Sequence, residues 1–184
     1  MTAILTRRSR QTLSGPAPSD EEFCYLLSGA AAAPDHGGLR PWRWILLRDR
    51  DRETLGACLA GEVVPERQEQ VARKLLRAPL VAVLVFSPNV DHKVPEWEQL
   101  AAASSMMYAM QLLLHARDYG SIWRSGRLCE STAARELLGL AHTERLLGSL
   151  DIGTPDQSER LTRRARADVS DWVSTFSAAA AAVY

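Results

Sequence analysis

Cysteine is scarce and poorly placed for cross-linking: the 184 residues contain three, Cys24, Cys58 and Cys129. Their odd number, wide spacing and lack of a C-x-x-C pair argue against a disulfide framework or a zinc knuckle and fit a reducing compartment. No sign of charge dominates, since 22 Lys and Arg balance 22 Asp and Glu for a formal net charge of +0. The basic excess of a protein built for nucleic acid or an anionic membrane is therefore missing. Long apolar runs are missing too. The longest stretch, Leu100 to Ala116, is broken by Ser104, Ser105, Gln111 and His115 and reads as a buried helix, not a membrane span. Near the start, Arg7, Arg8 and Arg10 precede no apolar segment of the secretory kind, so a cytoplasmic location is expected. Neither G-x-G-x-x-G nor G-x-x-x-x-G-K occurs, and H-E-x-x-H is absent. His36, His92, His115 and His142 lack ligand spacing, so no metal is expected. No Ser-His-Asp set can be assembled, and Cys24 is expected on the apolar face of a helix as a packing residue.

What is present is ordinary globular material: 46% hydrophobic and 24% charged residues, enough for one core and one domain over residues 1–184. A short helix is expected over 2–8. Gly15-Pro16-Ala17-Pro18 is a stiff connector, after which Ser19 caps a helix and Glu22 completes a capping box. Phe23, Leu26, Leu27, Ala30 and Ala31 give that helix one apolar face. Pro34 to Gly38 is a loop. Trp44 to Leu47 reads as a strand, and 51–61 and 66–77 as surface helices. Leu80 to Phe86, an unbroken apolar run, reads as a central strand covered on both faces. Pro95 opens a long helix to about Tyr119, with Gly120 as the residue just past its end. Ile122-Trp123 and Leu146 to Ile152 are strand candidates, with a helix near Ser131 to Leu138. The alanine-rich end, 177–184, reads as either helical or disordered. Helices outnumber strands without alternating strictly with them, so the class is α+β, in layers around a small sheet.

Four segments could carry chemistry, and each has a plain alternative. Arg7-Arg8-Ser9 could grip a phosphate, because guanidinium donors match phosphate oxygens; a solvated polar face explains it as well. In the loop Ala33 to Trp42, glycines permit close backbone approach to a planar ligand while His36 and Arg40 reach a ring edge. A simple helix-to-strand connection is the other reading. His92 to Gln99 is a helix start with acidic residues suited to the dipole. Gly120 to Gly126 presents Trp123, Arg124 and Ser125 at a tight turn, which a turn after a buried strand also explains.

The order of these segments is what decides. Arg-Arg-Ser, then Ala-Pro-Asp-His with Pro-Trp beyond it, then His-Lys-Val-Pro-x-Trp-Glu-Gln, Gly-x-Ile-Trp-Arg-Ser-Gly and Leu-x-Ile-Gly-Thr-Pro, from Arg7 to Pro155, resembles the nitroreductase family, in particular its small YdjA-like branch. The resemblance implies an α+β fold with a small, mainly antiparallel sheet flanked by helices. It also implies a homodimer around a long central helix, with two FMN molecules at the interface. Arg7, Arg8 and Ser9 would hold the FMN phosphate and ribityl chain, His36 would lie by the flavin, and Trp123, Arg124 and Ser125 would complete the phosphate side. Gly38 and Arg40 stand where many relatives carry Asn and Gln against the ring. Arg40 could there favour the anionic reduced flavin. The implied activity passes hydride from NADH or NADPH through flavin N5 to nitroaromatics, quinones or similar flat electrophiles in a two-step exchange, with no side-chain nucleophile. The alternatives are a non-catalytic flavin-binding protein and a same-fold enzyme such as a reductive dehalogenase.

Overall fold

The computed structural model describes residues 2–156 and 164–176; the alanine-rich segment 177–184 lies outside the described residues. Seven consecutive apolar residues, Leu80–Phe86, form strand β3, and all seven are buried. (The other strands are β1, Leu13–Ser14; β2, Trp42–Leu47; β4, Gly120–Arg124; and β5, Arg145–Pro155.) A strand with apolar residues on both sides must be covered on both sides. It is: β3 lies between β2 and β5, antiparallel to each, while β1 and β4 both pair antiparallel with the far edge of β5. The α+β class and the small antiparallel sheet flanked by helices are as the sequence implies.

Alternation along β3 and β5 sorts the helices into two layers. Leu80, Ala82, Leu84, Leu150 and Ile152 meet α2 (Asp20–Ala30) and α5 (Glu96–Ala116) through Phe23, Leu26, Met106, Met107, Met110 and Leu114. On the opposite face, Val81, Val83 and Val85 meet α3 (Asp49–Ala60) and α4 (Pro65–Lys74) through Leu55, Leu59 and Val71, with Leu75 just past the end of α4. That second layer is closed by two short helices, α6 (Arg127–Glu130) and α7 (Thr132–Leu137). A single-turn helix, α1 (Thr2–Thr6), precedes β1. Burying each of these large side chains contributes about 1.5–3 kcal/mol.

Local chemistry departs from expectation at three points. Ser19 does cap α2, accepting the Glu22 N–H at 3.2 Å. Glu22 does not complete the box, because its carboxylate instead accepts the Tyr119 hydroxyl at 2.7 Å and so ties α2 to the chain entering β4. Cys24 is exposed, correcting its placement on the apolar face: it follows buried Phe23 by one residue, about 100° round the helix. The long helix ends at Ala116, and Asp118 takes the left-handed conformation with φ 63°. Gly120 is therefore not a helix terminator. It begins β4, where an added Cβ would lie 2.5 Å from Leu13 Cδ2. Gly148 is similarly constrained: φ is 116°, and a Cβ would fall 2.2 Å from the Arg124 carbonyl oxygen.

One buried carboxylate fastens the sheet to the turn before β5. Arg43 Nε and Nη2 each donate to Glu144 at 2.7 Å, and the Ala141 N–H donates at 2.9 Å. Against the opposing effect of burial, this forked ion pair holds the Glu144 carboxyl at about 2, helped by the Ala141 N–H and the Ser87 hydroxyl. A carboxyl whose folded pKa is depressed stabilises the fold above its ordinary value of 4.5 and ceases to do so as pH falls toward about 2. Glu144→Gln should therefore cost about 2 kcal/mol at pH 7 in urea unfolding. The gap between variant and parent should shrink steadily below pH 4.5. A gap that does not change with pH would show that Glu144 acts through packing, not charge.

Candidate functional site

The N-terminal segment runs along the outer edge of β4. Ser9 bridges Ser121, and the Arg10 N–H donates to the Ser121 carbonyl at 3.2 Å, so the chain just past α1 supplies the edge strand with its missing partner. Thr6 Oγ1 lies 2.7 Å from His115 Nε2, which pins the same segment to the last turn of α5. Arg8 turns back on α1, donating from Nη1 to the carbonyls of Leu5 at 2.9 Å and Arg7 at 3.1 Å. Arg7 is half-buried, and its Nη1 is wholly buried with no hydrogen-bond acceptor among the described residues. Burial and the nearby Arg164 lower the Arg7 pKa; lost solvation, Arg164 and Arg10 lower that of Arg8. Within this group of guanidiniums, Arg7 Nη1 is a buried donor that an anion could meet.

Arg164 belongs to this cluster although no motif in the sequence points to it. Its N–H donates to the Leu5 carbonyl at 3.0 Å, bringing the C-terminal segment back across α1. The one signal it offers is the basic run containing Arg164 and Arg166, which lies beyond the last recognisable motif.

The second candidate loop is built on Asp35. Its carboxylate accepts the N–H groups of Leu39 at 3.2 Å and Arg40 at 2.7 Å. That closes a turn in which Gly37, Gly38 and Arg40 all take positive φ, at 83°, 62° and 47°. Gly38 is exposed, and an added Cβ would meet nothing within 4 Å. His36 Nδ1 lies 2.6 Å from Glu98 Oε2, tethering the loop to the first turn of α5. The neighbouring motif, His92 to Gln99, proves to be a clasp. The buried Gln99 amide binds both backbone groups of Asn89 and the carbonyl of Val94, at 2.9–3.0 Å.

In β4, successive side chains part company. Trp123 is 39% exposed, and its Nε1 donates to the Leu147 carbonyl at 2.9 Å. Arg124 is drawn to the face bearing α3 and α4 by an ion pair from its Nε to Asp151, leaving its Nη2 buried and unmatched. Burial raises the pKa of Asp151, with Arg124 and Arg77 acting against that shift. Ser125 is exposed at the turn made by Gly126, whose φ is 90°.

Within one chain, then, Arg7, Arg8 and Ser9 stand beside the strand carrying Trp123, Arg124 and Ser125. His36, Gly38 and Arg40 do not join them. The two groups occupy opposite ends of α5, at Glu98 and at His115, and 17 helical residues span about 25 Å. Between those ends α5 presents Trp97, Ala101, Ser105 and Tyr108 outward, at spacings of three and four that make one stripe. Trp97 and Tyr108 are 69% and 42% exposed.

The chain matches the profile of the nitroreductase family over residues 4–154. It is 35% identical over 157 residues to YdjA of Escherichia coli (strain K12), whose name is that of an NAD(P)H nitroreductase; the match covers 83% of this chain and 86% of YdjA. Among solved structures, a nitroreductase-like family protein from Bacillus cereus is similar with a TM-score of 0.83 at 26% identity, over 95% of this chain and 94% of that one. A structure from Desulfovibrio desulfuricans, described as a nitroreductase in complex with FMN, gives a TM-score of 0.71 at 21% identity, over 95% of each chain.

His115, which holds Thr6, makes the stability of this end of α5 depend on pH. The His115 pKa is lowered by burial and then by Arg7, with Arg10 and Arg8 adding to the effect and Asp118 opposing it. A histidine held neutral in the fold stabilises it above its ordinary value of 6.5; below that, the unfolded chain takes up the proton first and stability falls. Thermal unfolding should therefore show a smaller loss of Tm between pH 7 and pH 5 for His115→Gln than for the parent. Parallel curves for the two proteins would refute it.

Proposed function

Because this chain belongs to the nitroreductase family, we propose that it is an FMN-dependent oxidoreductase acting as a homodimer. It takes hydride from NADH or NADPH and hands it to nitroaromatic, quinone or similar flat electrophilic acceptors. The observation that carries this reading is the separation of the two candidate groups along α5. One chain cannot bring Arg7 and His36 to the same flavin. Two chains crossing antiparallel through the exposed face of α5 would set the His36 end of one against the Arg7 end of the other, twice, by a two-fold axis. Trp97 and Tyr108 supply apolar area to such an interface, and Ala101 and Ser105 let the helices approach closely.

The residues present fit a flavin mononucleotide. Its phosphate is a dianion, and the Arg7 Nη1 is a buried cationic donor without a partner among the described residues. Arg7, Arg8 and Ser9 would hold the phosphate and ribityl chain, with Arg164 adding charge and Trp123, Arg124 and Ser125 lying on the adjoining strand. When bound, FMN supplies two-electron chemistry at N5. The chain's own part is to bind, orient and exclude water. Asp35 fixes the turn that offers Gly38 and its backbone to the ring, the hydrogen bond with Glu98 aims His36, and Arg40 places a fixed cation where negative charge develops on reduction. No described side chain is needed as a nucleophile. Donor and acceptor would use the same open face in turn, and residues 1–184 would act as one unit. Three free cysteines suit the reducing cytoplasm.

Two measurements test this. Purified protein should be yellow or become so with FMN, and should bleach without oxygen on adding NADH or NADPH. A yellow protein that never bleaches would mean a flavin carrier, and one that ignores FMN would overturn the reading. Co-expression of Arg7→Glu and His36→Ala chains, each impaired alone, should restore about a quarter of the parent's activity, since half of the dimers are mixed and each mixed dimer carries one intact site. No recovery above the two single variants would place the site within one chain.

A further inference from the structure

His115 occupies the last turn of α5, half-buried beside the segment that carries Arg7, Arg8 and Ser9. Its Nε2 lies 2.7 Å from the hydroxyl of Thr6, the residue immediately before Arg7. That contact tolerates either charge state of the ring. A neutral ring can accept the hydroxyl proton at Nε2, and a protonated ring donates from Nε2 to the hydroxyl oxygen. Protonation therefore changes the charge at this point without undoing the tether. Three guanidiniums bear on the ring from the N-terminal segment, those of Arg7, Arg10 and Arg8, and one carboxylate, Asp118, from the chain just past α5. Arg164, which acts on both Arg7 and Arg8, adds positive charge from the C-terminal segment. The helix itself favours a cation at this end, where its last carbonyls are. Burial, and after it the arginines, outweigh that preference and leave the ring neutral at pH 7.

We propose that His115 is a proton-linked positioning residue of the flavin phosphate site: it takes up a proton when a phosphate dianion is held by Arg7 and Arg8, and so tightens that phosphate as pH falls. The inference rests on the seat proposed above for the phosphate. A dianion among the guanidiniums cancels much of the repulsion that keeps the proton off the ring, and the ring's new charge then attracts the dianion in turn. The two effects are one linkage, since a ligand that raises a group's proton affinity is bound more tightly by the protonated form. The ring acts through its charge and through the Thr6 tether, so it positions the site and is not itself a flavin contact. The consequence is a site that resists acid. A phosphate monoester loses its second charge below about pH 6, which by itself weakens binding. The charge gained at His115 in the same range offsets that loss.

The test follows the ring signals of the four histidines by proton NMR through a pH titration, with FMN, with riboflavin as the flavin that lacks a phosphate, and with neither. The signal missing from His115→Gln is that of His115. FMN should raise its titration midpoint by about half a pH unit or more, riboflavin should leave it in place, and His142 should stay put with either. Between pH 8 and pH 6, FMN affinity read by fluorescence quenching should fall about threefold further for His115→Gln than for the parent. Gln keeps a hydrogen-bonding group for Thr6, so a merely structural role would weaken FMN equally at both pH values. If Arg7→Gln weakens FMN while the His115 midpoint ignores FMN, the linkage is wrong and the flavin reading stands. If Arg7→Gln leaves FMN affinity unchanged, or the protein takes no FMN, the phosphate is not seated here and both fall.

Discussion

The structure depends on β3 having no polar side. Seven apolar residues in a row cannot rest on a sheet with one wet face, so the chain must build a helical layer on each side. From this follows a division of labour. The layer of α2 and α5 carries the flavin candidates at its ends and a partly apolar outer stripe in between. The layer of α3 and α4 closes the opposite face of the sheet. Arg7, Arg8 and Ser9 meet Trp123, Arg124 and Ser125 at β4, which pairs with β5.

The length of α5 is the second constraint. A helix of 21 residues is a rigid spacer, and its two ends hold segments that each look like half of a site. Lengthening the helix would only increase the separation; shortening it would remove the methionines that cover the sheet. A symmetric partner resolves the difficulty without changing the chain. In the proposed function dimerisation and flavin binding would therefore stand or fall together, because each candidate segment would need the far end of a second copy of α5.

Much of this was legible in the residues. The apolar run announced β3, Ser19 announced the start of α2, and the order of short motifs announced the family. What was not legible depended on contacts distant in sequence. Gly120 looks like a helix terminator because a glycine after a long helix usually is one. Its actual constraint is Leu13, which packs where its Cβ would be. Glu22 has the spacing of a capping box, yet Tyr119 competes for its carboxylate and wins. Cys24 sits beside Phe23 in sequence, and one residue of helical rotation takes it to the surface. Arg164 belongs to the N-terminal cluster only because the chain returns across α1. The separation of His36 from Arg7 was equally hidden, since motif order carries no distance.

The arginine cluster also sets a relation between stability and function. A half-buried guanidinium with an unmatched buried donor is a standing cost to the fold, of the order of 1–3 kcal/mol for the unmet hydrogen bond. Folding tolerates it because β4 and α5 hold the segment in place through Ser121 and His115, neither of which depends on a ligand. The backbone of the candidate site is thus fixed by contacts within the fold, so in the proposed function the flavin phosphate would meet donors that the fold has already ordered and desolvated. Binding strength gained in this way would come at the expense of the stability of the chain itself. The position most costly to the fold, Arg7, is therefore the one where removing the charge should separate stability from binding most cleanly.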